Sequence, residues 1–262
     1  MRYRVADLDE TFQPVQPGVR WFDLAPVHVW RFALRGELAA WPWWSDRLTT
    51  GEIEAVQRYR RPEDQERALI SRGARRHLIA EVCACAPEDV DLGVGLHGKP
   101  SCQSPRAGRT DLEFNVSHSG AWVLVAISMR GAVGVDIEQH RPVEEERLVA
   151  DCFSPEEAMA WRALPPKDRT AGFYATWTRK EAYLKGLGVG LGKALDRFSV
   201  TVDPSPMAHV VVHDDDDPTA TDRWAFWPLP IDGNHSASLV VAGRPSSVCR
   251  WEWPGHESPV EA

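Results

Sequence analysis

Two acidic residues lie on one face of a short strand predicted at residues 134–138. The stretch GVDIE places Val135 and Ile137 on one face, and Asp136 and Glu138 on the other, because side chains alternate along a strand. Two neighbouring carboxylates repel each other unless a cation lies between them. The pair is therefore either the solvated face of a half-buried strand or a set of oxygen ligands for a hard metal ion.

A third acid and two lysines occur together in WTRKEAYLKGLGVGL, at residues 177–191. The segment is predicted to be helical, and Glu181 and Lys185 have the spacing of a surface ion pair. With Lys180 before the acid and a glycine-rich turn after the helix, the same residues could supply a third metal ligand and a lysine for a phosphate. The spacing alone leaves both interpretations open.

The predicted elements recur in the same order in both halves of the chain. Thr49 with Glu52, and Ser154 with Glu157, are capping boxes that each begin a predicted helix. In each half a long amphipathic helix follows, then a loop containing Gly-Lys, and then strands. We therefore predict an α+β fold of two similar halves that pack against each other.

The repeat assigns the acids to one half only. Aligning the strand at 28–32 with the strand at 134–138 sets Trp30 against Asp136 and Phe32 against Glu138. A cleft between the halves is then the expected place of the acid pair. Residues 114–128 are predicted to form two strands, the second in a hairpin with the strand at 132–138, and His118 is expected to be equivalent to His235.

The composition excludes several classes of protein. A net charge of −8 over 262 residues argues against general nucleic-acid binding. The N-terminal residues lack the apolar segment of a signal peptide, and no apolar run reaches membrane-spanning length. The five cysteines lack metal-ligand spacing and are expected to be reduced thiols. We expect a monomeric, cytoplasmic protein that binds neither nucleic acid nor membrane.

Five motifs in a fixed order resemble the 4′-phosphopantetheinyl transferases of the Sfp type. They are GKP (98–100), FNVSHSG (114–120), GVDIE (134–138), FSPEE (153–157) and WTRKEAYLKGLGVGL (177–191). The resemblance implies two α+β halves in one chain, related by a pseudo-twofold axis. We place the halves at 1–133 and 134–245, followed by a tail at 246–262. The implied reaction transfers 4′-phosphopantetheine from coenzyme A to a serine of an acyl or peptidyl carrier protein, with Mg²⁺, and releases adenosine 3′,5′-bisphosphate.

The resemblance also assigns the metal and catalytic residues. It implies that Asp136, Glu138 and Glu181 hold Mg²⁺, and that Lys185 contacts the pyrophosphate of coenzyme A. Glu181 is the implied general base, acting through a water on the metal. Glu157 is the alternative base, although it also closes a capping box.

The coenzyme A-binding residues are assigned in the same way. His118 and Lys99 are implied to contact the phosphates and the ribose, while Ser117 and Pro100 line the nucleotide pocket. Arg67 corresponds to a basic residue that holds the 3′-phosphate. The remaining expected contacts to coenzyme A come from Arg58, Arg72 and Lys180.

Overall fold

The computed structural model describes residues 11–16, 18–34, 41–95, 97–103 and 112–254. Twelve strands and seven α-helices lie within these residues. The strands are β1 (Gln13–Pro14), β2 (Val27–Ala33), β3 (Leu92–Val94), β4 (Pro100–Cys102), β5 (Glu113–Ser119), β6 (Trp122–Ser128), β7 (Val133–Gln139), β8 (Phe198–Val200), β9 (Val212–Asp214), β10 (Trp224–Pro228), β11 (His235–Ala242) and β12 (Val248–Glu252). The helices are α1 (Trp41–Ser45), α2 (Thr50–Gln57), α3 (Pro62–Cys83), α4 (Glu145–Cys152), α5 (Pro155–Ala163), α6 (Arg169–Leu187) and α7 (Ala220–Arg223). Among the described residues, no helix is both long and apolar enough to span a membrane.

Two main sheets have the same central topology. The first has the strand order β1-β12-β2-β6-β5, and the second has the order β10-β11-β7. In the first sheet β6 lies between β2 and β5, and in the second sheet β11 lies between β7 and β10. All of these pairs are antiparallel. The prediction of an α+β fold is confirmed, and the shared strand order agrees with the predicted duplication.

The sheets pack face to face, with one long helix on each outer side. Val29 of β2 and Val135 of β7 belong to the apolar core between the sheets. Trp30, on the opposite face of β2, packs in a second core with residues of α3. Tyr183 of α6 and Val240 of β11 share a third core on the outer side of the second sheet. This layering places β7 between the first sheet and α6.

Local sequence signals set the ends of the helices. Thr49 caps α2 and Ser154 caps α5, each in the reciprocal arrangement of a capping box, as predicted. Helix α6 ends where Gly188 adopts a left-handed conformation with φ of 70°. The C-terminal end of the helix that carries Glu181 is thus set by a glycine that follows Lys185 by three residues.

The structure corrects three expectations about topology. Strand β7 forms no hairpin with β6 but pairs with β11 in the other sheet, because the β6–β7 connection carries the chain from one sheet to the next. The predicted tail contains β12, which pairs in parallel with β2 and β1 of the first sheet. His118 lies within β5, whereas His235 begins β11, the counterpart of β6, so the two histidines are not equivalent.

Candidate active site

Asp136 and Glu138 lie on the face of β7 that packs against α6. Part of this face is covered by the helix and is closed to solvent. Gly134 lies on the same face of β7, two residues before Asp136. A Cβ atom at Gly134 would lie 2.0 Å from the carbonyl oxygen of Ala182 and 2.4 Å from the nitrogen of Gly186, both in α6. Only a glycine permits this approach, which places the last turns of α6 directly against the acidic part of β7.

The close approach brings Lys185 onto Asp136. The Lys185 Nζ donates to Asp136 Oδ1 at 2.6 Å and to Ser117 Oγ at 3.0 Å. The Ser117 hydroxyl in turn donates to the same Oδ1 at 2.8 Å. Asp136 is 3% exposed, and its Oδ2 is buried with no hydrogen-bond partner among the described residues. Ser117, expected in the nucleotide pocket, is therefore turned toward the acid cluster.

The three predicted metal ligands influence one another electrostatically. Burial raises the pKa of Glu138, and the negative charge of Asp136 raises it further. Burial and the charge of Asp136 likewise raise the pKa of Glu181, while Lys185 acts in the opposite direction on both glutamates. The cluster of Asp136, Glu138 and Glu181 thus places three carboxyl groups near one ammonium group, that of Lys185. A bound cation would balance the excess of acidic groups.

The chemistry of this acid cluster fits a divalent cation. Within the described residues, no three Asp, Glu, His or Cys side chains are arranged as a finished metal site. Mg²⁺ does not require one, because it binds through one or two carboxylates and completes its octahedral shell with waters and phosphate oxygens. Asp136 Oδ2, buried and without a hydrogen-bond partner among the described residues, is an oxygen ligand of the kind that such an ion binds.

A row of side chains joins β5 to β7 and ends in the acid cluster. We call Asn115, Ser117 and Ser119 the seam, because each accepts a backbone N–H of β7. The pairs are Asn115 Oδ1 with Val135 N at 2.9 Å, Ser117 Oγ with Ile137 N at 3.4 Å, and Ser119 Oγ with Gln139 N at 3.0 Å. The constant spacing shows that β5 and β7 run in parallel. The sequence analysis missed the seam, although polar residues at alternate positions of an otherwise apolar strand are its signal.

A group of basic side chains lies beside the acid cluster, near the end of β5. Arg67 Nη2 donates to the carbonyl oxygen of Gly120 at 3.2 Å, and Arg67 Nη1 donates to Asp64 Oδ1 at 2.6 Å. His118 is exposed here, and partial desolvation together with the charges of Arg67 and Lys185 lowers the pKa of its ring. The structure therefore brings Arg67, His118 and Lys185 together, next to the carboxylates.

Two other predicted arginines stand apart from this group. Arg72 Nη1 donates to the carbonyl oxygen of Ala68 within α3, at 3.2 Å. Arg58 is exposed at the C-terminal cap of α2. Among the described residues, no contact joins either side chain to Arg67 or His118.

Lys99 lies at the other end of β5. Its Nζ is 3.1 Å from a carboxylate oxygen of Glu113 and donates to the carbonyl oxygens of Val133 and Gly186, each at 3.3 Å. Glu113 is the first residue of β5 and His118 is close to its last, so the structure does not bring Lys99 to His118. Pro100, which follows Lys99, begins β4 and is half-buried.

The structure corrects the assignments of Lys180 and Glu157. Lys180 Nζ donates to both carboxylate oxygens of Glu157, at 2.7 and 2.5 Å, and to the carbonyl oxygen of Phe198 at 2.6 Å. Glu157 also accepts the backbone N–H groups of Ser154 and Val200. Each side chain of the pair is 1% exposed. Lys180 and Glu157 are thus buried and fully paired with each other and with the backbone, which contradicts the expected coenzyme A contact and the alternative base; they fasten α5 to α6 and β8.

Comparisons with known proteins cover both halves of the chain. The sequence model described as the 4′-phosphopantetheinyl transferase superfamily matches residues 132–240. A second model, described as 4′-phosphopantetheinyl transferase, N-terminal, matches residues 37–130. The boundary between the two matches falls just before β7.

Individual relatives carry names of the same class. The 4′-phosphopantetheinyl transferase HetI of Nostoc sp. is 29% identical over 237 residues, which are 90% of this chain and 95% of that protein. The 4′-phosphopantetheinyl transferase Sfp of Bacillus subtilis is 30% identical over 165 residues, which are 63% of this chain and 71% of that protein. The L-aminoadipate-semialdehyde dehydrogenase-phosphopantetheinyl transferase of Schizosaccharomyces pombe is 33% identical over 60% of this chain and 68% of its own.

Proposed function

Because this chain belongs to the 4′-phosphopantetheinyl transferase superfamily, we propose that it transfers the 4′-phosphopantetheine group of coenzyme A to a serine of an acyl or peptidyl carrier protein. In this reaction the serine oxygen forms a bond to the phosphorus that carries the pantetheine. The bond from that phosphorus to the bridging oxygen of the pyrophosphate breaks, and adenosine 3′,5′-bisphosphate leaves. The serine proton passes to a base.

The observation that carries the proposal is the acid cluster beside three basic side chains. Asp136, Glu138 and Glu181 would hold Mg²⁺, and Asp136 Oδ2 is buried with no hydrogen-bond partner in the described part of the chain. When bound, Mg²⁺ offsets the negative charge of the attacked phosphoryl group and of the leaving bisphosphate. Transfer of a charged phosphoryl group depends mainly on positioning and on charge stabilisation, and this site supplies both.

Lys185 is the residue that we propose exchanges partners when coenzyme A binds. Without the substrate its ammonium group is held by Asp136, yet the side chain is 30% exposed and ends at the border of the cluster. A lysine is a compact point charge on a flexible stem and suits a pyrophosphate oxygen. His118, near the end of β5, and Arg67 of α3, which contacts Gly120 just beyond that strand, then bind the remaining phosphate and ribose groups.

Glu181 is the proposed general base. Burial and the charge of Asp136 raise the pKa of this carboxyl group, but a bound Mg²⁺ would act in the opposite direction, so the assignment rests on the free oxygens of Glu181 and not on the raised pKa. Glu181 accepts no hydrogen bond from another described residue, whereas all the accepting capacity of Glu157 is taken up by Lys180 and by backbone N–H groups. The proton passes to Glu181 directly or through a water.

The test combines an apo-carrier protein, coenzyme A and Mg²⁺, with intact-mass measurement of the carrier. We expect the mass of a phosphopantetheine adduct with the wild type and none with Asp136→Ala at any Mg²⁺ concentration. Asp216→Ala is the matched control, because Asp216 is an acid on the surface that pairs with Lys193. Release of the bisphosphate without a carrier would instead indicate a phosphohydrolase, and binding of coenzyme A without turnover would indicate a binding protein.

A further inference from the structure

Each seam serine holds one oxygen of a carboxylate in the acid cluster. Ser119 Oγ accepts the N–H of Gln139 and donates its proton to Glu138 Oε2 at 2.9 Å. Ser117 Oγ does the same for Asp136 Oδ1. The second oxygen of each carboxylate stays open: Asp136 Oδ2 has no partner, and Glu138 Oε1 accepts no hydrogen bond within the described part of the chain.

The register of β5 against β7 explains why the serines meet the acids. The two strands are parallel, so residues two apart on β5 meet residues two apart on β7. Ser119 is therefore next to Glu138 for the same reason that Ser117 is next to Asp136. At the third step of the seam, Asn115 binds Val135 N opposite Gly134, where there is no carboxylate.

We propose that Ser119 is a positioning residue of the cation site. Its hydroxyl fixes Oε2 of Glu138 and so presents Oε1 to the ion, and this inference rests on the proposed function. A free glutamate samples several rotamers, and a carboxylate that is already oriented loses less freedom when it binds a cation. Partners that orient metal ligands typically change metal affinity by about 10- to 100-fold when they are removed.

The seam offers variants that separate the two roles of Ser119. Ser119→Ala removes both the hydrogen bond to Glu138 and the acceptor for Gln139 N. Asn115→Ala removes only a seam acceptor and leaves every carboxylate untouched. Ser119→Thr keeps the hydroxyl.

The probe is Mn²⁺ alone, whose binding to the purified full-length chain is followed by electron paramagnetic resonance. We expect Ser119→Ala to bind Mn²⁺ about 10-fold more weakly than the wild type, consistent with the loss of an orienting partner. Asn115→Ala should stay within about 2-fold even where its melting temperature falls. Ser119→Thr should recover the affinity. If Ser119→Ala does not fold, Ser119→Cys takes its place, because a thiol of similar size is a weak donor.

Unchanged Mn²⁺ affinity in Ser119→Ala overturns the inference, and so does an equal loss in Asn115→Ala, which would reduce Ser119 to a seam acceptor. A wild type without Mn²⁺ binding overturns it as well. Wild-type transfer to an apo-carrier is measured separately. A wild type that transfers the group while Ser119→Ala binds Mn²⁺ normally leaves the proposed function intact and refutes only the role of Ser119.

Discussion

The contact between Gly134 and α6 allows a quantitative test of how the site is assembled. The perturbation is Gly134→Ala, which adds one Cβ atom. That atom would lie 2.0 Å from Ala182 O and 2.4 Å from Gly186 N, and both are backbone atoms that cannot rotate away. Side-chain carbons keep about 3 Å from other heavy atoms, so α6 has to move away from β7 by about 1 Å.

The expected cost follows from this displacement. Overpacking a core typically costs about 1–3 kcal/mol, and a clash with two backbone atoms belongs at the upper end, about 3 kcal/mol. For a chain of this size we expect the melting temperature to fall by roughly 6–12 °C. The same movement separates Lys185 from Asp136, now 2.6 Å apart. A misplacement of about 1 Å at a reacting centre lowers the rate by about 100-fold.

The measurements are a melting curve and the rate of carrier modification. Gly51→Ala is the matched control, since Gly51 lies in the exposed first turn of α2 and an added Cβ would have no atom within 4 Å. Alanine there should leave the rate unchanged and raise the stability by up to about 1 kcal/mol. A Gly134→Ala variant that melts within about 2 °C of the wild type and keeps its rate would refute the close packing of α6 on β7.

Three further predictions concern residues away from that contact. Burial lowers the pKa of His28 from 6.5 to about 4. Between these pH values the unfolded chain binds more protons than the folded chain. We therefore expect the free energy of unfolding to be highest above about pH 6.5 and to fall by up to about 3 kcal/mol toward pH 4. The free energy of unfolding, measured by urea titration at several pH values, should depend less on pH in His28→Gln. The glutamine side chain can keep both hydrogen bonds of the ring and does not titrate. Lys180→Met should lower the free energy of unfolding by about 3–5 kcal/mol, because it leaves Glu157 buried and unpaired. The double variant Lys180→Met with Glu157→Leu should recover much of this loss. Weaker coenzyme A binding at unchanged stability would contradict the structural role of Lys180. His118→Ala should weaken coenzyme A binding by about 10- to 100-fold, which corresponds to the loss of about 1.5–3 kcal/mol for a hydrogen bond to a charged group. The His235 side chain is only 4% exposed, so His235→Ala should lower the melting temperature. Its affinity for coenzyme A, measured by calorimetry, should stay within about 2-fold of the wild type.

Local rules predicted the features that depend on neighbouring residues. Strand alternation correctly placed Asp136 and Glu138 on one face, and the capping boxes marked the starts of α2 and α5. Alternation gives the face but not what covers it, so the packing of α6 over the acids became visible only in the fold. The reason for Gly134 in the motif lies in that packing.

The missed features depend on contacts between distant parts of the chain. Lys180 and Glu181 are neighbours on one helix, and no spacing rule indicates that the first points into the core while the second joins the acid cluster. The family resemblance implied that Lys99 contacts a phosphate or the ribose of coenzyme A, but its partners Val133 and Gly186 lie far along the sequence. The seam is visible in sequence only as the alternation of Asn115, Ser117 and Ser119, and its partner strand comes from the other half.

The position of β12 has a consequence for how the chain matures on the ribosome. β12 lies between β1 and β2 in the first sheet, and Trp251 Nε1 donates to His28 Nδ1 across that junction. The residues of β12 are synthesised only after the whole second half has been made. Until then β1 has no neighbour, and β2 has an unpaired edge of the kind that promotes association between chains. The first sheet is therefore completed only after the second half has been synthesised, and a break between the halves would leave this sheet without the strand that joins β1 to β2.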